Sequence, residues 1–515
     1  MAAAVISGAA LAFAFPPYGA AWLVPVALSP WIAALYFEER RRRALLSGAV
    51  FGIVFWCLST PWVSFVVTRF GGQPAWMGAV CVFLLALILA QWPLLVGWAT
   101  VAAAPARSPE RLAAFPMLWM AAEHARSVAY KGFPWNLTAN PLAAHPIWLQ
   151  TAAWWGAVGI GGVIAGAASL VAAIAVSPGT RGRLASAIAL VALVGGIAGF
   201  GAARLRLPPE NGPAVRVACV QPDIPQSARE TPESSARNYA SVFAAIREAA
   251  AAHPDLVLVP ESSFYGVTWQ RSEILRRDLA DAARESNGAI LFNDLDETSE
   301  DVYYNAARLV TPAGLAPATY HKVHLVPFGE YVPLPRLFFF MSSISRAVGA
   351  FSAADAPVVL ASGKLALGPA VCYEMTYPSL AREEVRRGAT LLVSVSNDAW
   401  YGKAGAQEQH FEALVLRAIE NGRPYARAAI TGISGVVDAR GRLLAHLPPG
   451  RRGVAAASVV PSSSRTVWSR WGGAFFPAAA DALAAGMVLC GLLRWRREVS
   501  ARRATIPTPG REPAR

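Results

Sequence analysis

Three short stretches carry residue types that together suit nucleophilic acyl chemistry. Leu367-Gly368-Pro369-Ala370-Val371-Cys372-Tyr373-Glu374 reads as a short apolar strand that ends on a cysteine, with a carboxylate two residues on. A strand exit holds the backbone rigid, while the following turn exposes sulfur and leaves N–H groups free to receive an oxyanion. Free cysteine is also among the most buried residue types, so this stretch by itself favours a packed thiol. The case for chemistry rests on two further stretches. Val259-Pro260-Glu261-Ser262 ends another apolar run with a carboxylate, and His321-Lys322-Val323-His324-Leu325-Val326-Pro327-Phe328-Gly329-Glu330-Tyr331 sets a lysine in an aromatic, proline-containing loop. The chain has only four lysines among its 46 basic residues, so a lysine here points to a need for a compact ammonium. The ordinary alternatives are a solvated loop lysine and a helix-start carboxylate.

The elements around these stretches alternate in type. Strands are expected at 215–221, 256–260, 289–293, 302–310, 365–372, 390–396 and 425–430, and helices near 234–252, 272–286, 379–387 and 407–421. Near-continuous apolar strands such as Leu256-Val257-Leu258-Val259 imply sheets buried on both faces, hence an α/β layered domain.

The rest of the chain is not that of a water-soluble enzyme. Of its 515 residues 55% are hydrophobic and only 15% charged, with a mean hydropathy of +0.37. Apolar runs long enough for membrane helices are concentrated before Leu207: 2–15, 20–37, 44–66, 75–104, 112–128, 153–176 and 184–203, with an eighth from about Gly473 to Leu493. No basic residues precede the first run, which argues against a cleaved signal peptide. The net charge of +13 is concentrated at Arg40–Arg43, Arg107 and Arg111, Arg181 and Arg183, and after Trp495, always between or after apolar spans. That is the pattern of cytoplasmic loops, with no nucleic-acid motif beside it. Placing all four clusters inside puts 207–470 outside the cytoplasm and the C-terminus inside. The predicted organisation is a transmembrane domain over 1–206, an extracytoplasmic domain over 207–470, a last transmembrane helix over 471–495 and a basic, disordered cytoplasmic tail over 496–515.

The five cysteines show no disulfide-like spacing, and His321-x-x-His324 without a carboxylate partner is weak metal evidence; no metal and no cofactor are predicted. Glu123 and Arg126, three residues apart in the fifth span, share one helix face and read equally as a local ion pair or as part of a polar cavity.

Glu261, Lys322 and Cys372 together resemble the Glu-Lys-Cys triad of the nitrilase superfamily, whose domain is an αββα sandwich. The residue types fit such a role: a carboxylate takes the thiol proton, the ammonium and the N–H after the cysteine stabilise the oxyanion, and sulfur carries the acyl group. The segments His324–Pro333, Ser396-Asn397-Asp398-Ala399-Trp400-Tyr401-Gly402, Arg417-Ala418-Ile419-Glu420-Asn421-Gly422-Arg423-Pro424 and Gly132-Phe133-Pro134-Trp135 extend the likeness to the apolipoprotein N-acyltransferase family, over nearly the whole chain.

The resemblance implies a nitrilase-like sandwich inserted before the last helix of an eight-helix bundle in a bacterial inner membrane. It also implies a ping-pong reaction, in which a phospholipid acylates Cys372 and the α-amino group of an apolipoprotein's diacylglyceryl-cysteine takes the acyl chain. By motif position, Glu261 is the base, Lys322 the oxyanion stabiliser and Cys372 the nucleophile. Glu330 supports Lys322, Tyr373 and Glu374 flank the nucleophile, Asn305 and Arg126 match positions used near the site, and Trp400 shapes the acyl or lipoprotein pocket. For Trp400, interfacial anchoring is an equal alternative. The stretch Val220–Ser227 departs from the family: Pro222 replaces a small residue, and Glu230 stands about where members often carry tryptophan. A membrane-anchored amidase would share the triad but use water as acceptor, and an inactive interaction protein would be expected to lack a triad member.

Overall fold

Proline and charge decide where the apolar runs become helices. In the computed structural model, which describes residues 1–208, 210–226, 232–299, 302–331, 351–472 and 475–504, five helices are long and apolar enough to cross a membrane: Arg41–Ser59, Ala75–Ala103, Ala152–Val176, Thr180–Arg206 and Phe475–Arg494. Two shorter apolar helical stretches, Ala2–Ala14 and Ala21–Phe37, precede them. The expected single span 44–66 is instead two helices, Arg41–Ser59 and Trp62–Arg69, separated at Thr60-Pro61. Proline lacks the N–H that continues a helix and its ring crowds the carbonyl four residues back. Pro93 acts in the same way on the next span, which is interrupted at Ala90. The expected fifth span forms the helix Pro109–Val128, which is less apolar than those five and whose Arg111, Glu123 and Arg126 are all buried.

Two of the basic loops meet at one end of this bundle. The Arg111 guanidinium donates to the carbonyls of Leu35, Tyr36, Glu38 and Ala104, which joins the loop before Arg40 to the loop around Arg107. Gly491 of the last helix packs so closely on the Ala102 carbonyl that no Cβ would fit. At the other end of the same helices, His124 meets Asp481 at 2.8 Å, and the Ala157 N–H of Ala152–Val176 donates to Glu420 of the α/β domain. The last helix, Phe475–Ala504, continues past Arg496, and residues 505–515 lie outside the described residues. Ser227, Glu230, Val332, Pro333 and Gly473 lie outside the described residues.

Between the helices Thr180–Arg206 and Phe475–Ala504 lies a two-sheet sandwich. Strands β1 (Val215–Gln221), β2 (Leu256–Leu258), β3 (Ala289–Ser299), β4 (Val302–Thr311) and β5 (Gly314–His321) form one sheet, completed at its edge by the last strand of the domain, Gly453–Val459. The second sheet holds β6 (Leu360–Ser362), β7 (Leu365–Val371), β8 (Leu391–Ser396), β9 (Tyr425–Ala429), β10 (Ser434–Val437) and β11 (Leu443–Leu447), hydrogen-bonded in sequence order. The centres, β1-β2-β3 and β7-β8-β9, are parallel, and the outer pairs are antiparallel. Val217, Leu258 and Leu291 meet Leu367, Val393 and Ala428 between the sheets. The helices Pro232–Ala250 and Glu273–Ser286 cover the first sheet through Val242, Ile246 and Leu279.

The helices Pro378–Arg386 and Ala406–Asn421 cover the second sheet, and the core they build is continuous with that of the membrane helices. The αββα order expected from the sequence is therefore present, and its second helical layer is pressed between a sheet and the bundle. That placement explains why Ala406–Asn421 buries charged residues that an ordinary surface helix would expose.

Candidate active site

The three chemistry-bearing residues leave the ends of three strands. After β2 the chain continues through Val259-Pro260 to Glu261, after β5 it reaches Lys322, and β7 delivers Cys372 into a single 3-10 turn, Cys372–Thr376. Parallel sheets place the carboxyl ends of their strands at one edge, and ligands are commonly met there. Cys372 has φ +56° and Ser262, next to Glu261, has φ +59°. A non-glycine residue in this region costs about 1–2 kcal/mol and persists only where the surroundings impose it.

Asn305 of β4 ties two of the acids together. Its amide nitrogen donates to Glu261 Oε1 and to Glu330 Oε1, 2.9 Å in each case. Glu330 Oε1 also receives Lys322 Nζ at 2.9 Å, and its other oxygen takes the Val326 N–H at 2.8 Å. Glu261 Oε2 accepts the Asn397 N–H at 2.9 Å. Asn293 holds the Asn305 side chain through a 2.6 Å bond to its oxygen and caps the Ser262 N–H at 3.0 Å. Glu261, Lys322, Cys372, Asn305 and Glu330 are all buried.

Glu374 performs a separate, structural task. One carboxylate oxygen accepts the Val323 and His324 N–H groups at 2.7 and 2.9 Å, and the other accepts the Val371 N–H and the Tyr320 hydroxyl, each at 2.8 Å. One buried side chain thus joins the segment after Lys322 to the strand before Cys372.

Electrostatics follow from burial. Burial raises the Glu261 carboxyl above its ordinary range, with Glu330 adding to the shift while Lys322, the Asn305 amide and the Asn397 N–H oppose it. Burial first, then Glu261, push the Cys372 thiol up to about 12, against the pull of Lys322. Burial alone would lower the Lys322 ammonium, yet Glu330 and Glu261 hold it above the ordinary lysine value. Burial thus disfavours a free thiolate, while Glu330 and Glu261 favour the protonated ammonium. Thiols attack as thiolates, so a thiol raised this far needs a base to take its proton as it reacts.

The membrane domain reaches this site through an aromatic loop. Arg126 donates to the carbonyls of Phe133 and Trp135, each at 2.6 Å, and lies 3.7 Å from Glu123, which accepts the Thr138 N–H and hydroxyl. Gly132 has φ +78°, and a Cβ there would lie 2.1 Å from the Ser127 carbonyl, so the turn between helix and loop needs glycine. Trp135 stacks on Tyr373 with ring centres 6.1 Å apart, Phe133 lies 6.3 Å from the same ring, and Trp62 lies 5.1 Å from Tyr401. Arg126 thus holds the loop in place as well as lining, with Glu123, Trp56 and Trp119, a cavity in the bundle. Trp400 is half-buried and packs edge-on against Phe70 of the membrane domain, 4.9 Å between centres. Neither histidine of His321-x-x-His324 faces the other's partner: His321 bonds Asp296 at 2.7 Å, while His324 stacks on Tyr377 at 4.0 Å.

The sequence assigns no individual role to Asn397, Asp398 or Tyr401, which stand in the segment Ser396–Gly402, nor to Asn293, His410 or Arg427; His410, Asp398 and Arg427 are fully buried. His410 Nε2 lies 3.0 Å from the Cys372 carbonyl oxygen, and Arg427 donates to Asp398 at 2.6 Å. The available signal was composition: a histidine and an arginine at core positions among apolar neighbours are costly unless paired.

Residues 216–467 match the carbon-nitrogen hydrolase family, and residues 7–170 match the apolipoprotein N-acyltransferase N-terminal domain. The apolipoprotein N-acyltransferase of Geobacter metallireducens is 32% identical over 507 residues, covering 96% of this chain and 95% of that protein. That of Methylococcus capsulatus is 30% identical over 517 residues, covering 99% of each, and that of Vibrio cholerae is 30% identical over 498 residues, covering 91% and 93%. Among solved structures, an amidase from Nesterenkonia sp. is 21% identical with a TM-score of 0.39, covering 51% of this chain and 94% of the amidase. Matched from its first apolar helix through its sandwich, this chain is a membrane acyltransferase that belongs to the apolipoprotein N-acyltransferase family.

Proposed function

We propose that this chain moves an acyl group from a phospholipid to the N-terminal α-amino group of a diacylglyceryl-cysteine on an apolipoprotein, through a thioester on Cys372. Glu261 takes the thiol proton as sulfur attacks the ester carbonyl. Lys322 and the Tyr373 N–H receive the negative charge on the carbonyl oxygen. When the tetrahedral intermediate collapses, the carbon–oxygen bond breaks and the lysophospholipid leaves with the proton from Glu261. In the second half, the lipoprotein amine attacks the thioester, Glu261 accepts its proton, and the C–S bond breaks to give an amide and the resting thiol.

The observation that carries this reading is the shared carboxylate cluster. Asn305 joins Glu261 to Glu330, and Glu330 holds Lys322 in a buried pair, so base and ammonium are fixed relative to each other beside the cysteine turn. The aromatic wall of Phe133, Trp135, Tyr373 and Tyr401 extends from the bundle to that turn and favours a donor held in a lipid bilayer. The meeting of two basic loops at the end of the bundle away from the sandwich supports an extracytoplasmic active site, the C-terminus being cytoplasmic.

The direct test supplies purified protein with phospholipid and a synthetic diacylglyceryl-cysteinyl peptide. The expected product is a peptide heavier by one acyl chain, with lysophospholipid formed in equal amount. Sustained release of free fatty acid without peptide acylation would identify a hydrolase instead.

A further inference from the structure

We infer that His410 is a positioning residue that aims the Tyr373 N–H at the developing oxyanion; the inference rests on the chemistry proposed for Cys372. The Cys372 carbonyl and the Tyr373 N–H belong to one trans peptide plane, in which C=O and N–H point in opposite directions. Whatever fixes the carbonyl therefore fixes the N–H. Tyr373 lies in the first turn of the 3-10 helix Cys372–Thr376, where N–H groups have no intrahelical acceptor. That peptide follows a residue at φ +56°, so its orientation is not one that the backbone holds by preference.

His410 is built to hold it. A carbonyl oxygen only accepts, so Nε2, 3.0 Å away, carries the proton and donates. Nδ1 faces both Arg427 Nη2 at 3.0 Å and Asp398 Oδ1 at 3.2 Å, so Nε2 is the donor to the carbonyl whichever of the two Nδ1 engages. Arg427 is in turn fixed by Asp398 at 2.6 Å and the Ser396 hydroxyl at 3.1 Å, while that hydroxyl donates to Asp398 at 2.8 Å. All four side chains are fully buried, so water does not compete for these bonds. The ring is also flanked by Trp135, 5.3 Å away, so the loop from the membrane domain closes over it. Burial and the Arg427 charge lower the His410 pKa, against Asp398 and the Cys372 carbonyl, which raise it; the Nε2 donation to the carbonyl is compatible with either charge state. A donor on the carbonyl also polarises the peptide and strengthens its N–H as a donor to the oxyanion.

The test separates oxyanion chemistry from thiol reactivity. Formation of the Cys372 thioester from phosphatidylethanolamine in detergent micelles needs an oxyanion site, whereas alkylation of the same thiol by iodoacetamide does not. His410→Phe keeps a ring but has no donor. It is expected to slow single-turnover thioester formation about 100-fold, the scale for one oxyanion donor, with the half-saturating lipid concentration and the alkylation rate within a few-fold of wild type. His410→Gln retains an N–H and is expected to recover at least a tenth of the wild-type rate. Thioester formation as fast in His410→Phe as in wild type would overturn the assignment, as would parallel loss of acylation and alkylation. If the Phe variant does not accumulate as folded protein, His410→Gln decides: normal alkylation with acylation abolished contradicts the role of the donor. Wild-type protein that forms no thioester overturns the proposed function itself, which is a different result from any of these.

Discussion

Asn305 and Glu261 are joined by a single 2.9 Å hydrogen bond whose donor nitrogen also serves Glu330 at the same distance. Two carboxylates that share one amide lie close together, and Lys322 is the cation that makes this tolerable. Asn305→Asp replaces the shared donor with a third acceptor and adds like charge. The expected outcome is at least a 100-fold fall in the rate of thioester formation, since hydrogen bonds to charged groups contribute about 1.5–3 kcal/mol each and two are lost. Single-turnover acylation checks this, and a rate within fivefold of wild type would detach Asn305 from the site.

The pH dependence of acylation should have an unusual form. Glu261 works as a carboxylate, so activity is present above its pKa and lost below it. Because burial raises that pKa, the acid limb should lie above the ordinary 4.5 of a glutamate. The thiol is pushed up to about 12, so no rise tracking a normal cysteine near pH 8.5 is expected. A pH series of single-turnover rates checks both limbs. A rate that climbs through pH 8–9 would mean that a free thiolate, formed without Glu261, is the attacking species.

Lys322→Arg should be damaging although charge is kept. Lys322 is only 1% exposed and its ammonium occupies one point, 2.9 Å from Glu330. A planar guanidinium presents a fork and needs more room. A loss of about 100- to 1,000-fold in acylation rate is expected, the scale for an oxyanion donor, with folding followed by thermal unfolding in detergent.

How much of this was legible in the sequence depends on how local each signal was. The triad stretches were readable because each chemistry-bearing residue sits at the end of an apolar run. β2 and β8 are buried along their whole length and β7 at all positions but Ala366, so they read as near-continuous hydrophobic segments. β5 lacks a clear signature because Pro317 interrupts Gly314–His321, and β11 because Leu443–Leu447 lies at an exposed sheet edge without apolar alternation. The break at Pro61 was visible as a residue but masked by the hydropathy on either side. His410, Asp398 and Arg427 acquire meaning only when a helix, a turn and a strand meet beneath Cys372, and no spacing in one dimension encodes that meeting.

The membrane orientation gives a further prediction. The Arg111 contacts and the Gly491–Ala102 packing put basic loops at one end of the bundle, and positive residues are retained on the cytoplasmic side. A reporter fused after Arg206 should therefore be extracytoplasmic and one fused after Arg496 cytoplasmic. Finding both on one side would remove the crossing by the last helix.

The central claim is that Cys372 carries the acyl group, and intact-protein mass spectrometry after incubation with phospholipid tests it most directly. Without acceptor, wild-type protein should gain one acyl-sized increment that neutral hydroxylamine removes, as expected of a thioester. Glu261→Gln cannot take the thiol proton and should show no increment, and Cys372→Ala should show none because the nucleophile is gone. An acyl increment that persists in Cys372→Ala would place the nucleophile elsewhere and contradict the mechanism.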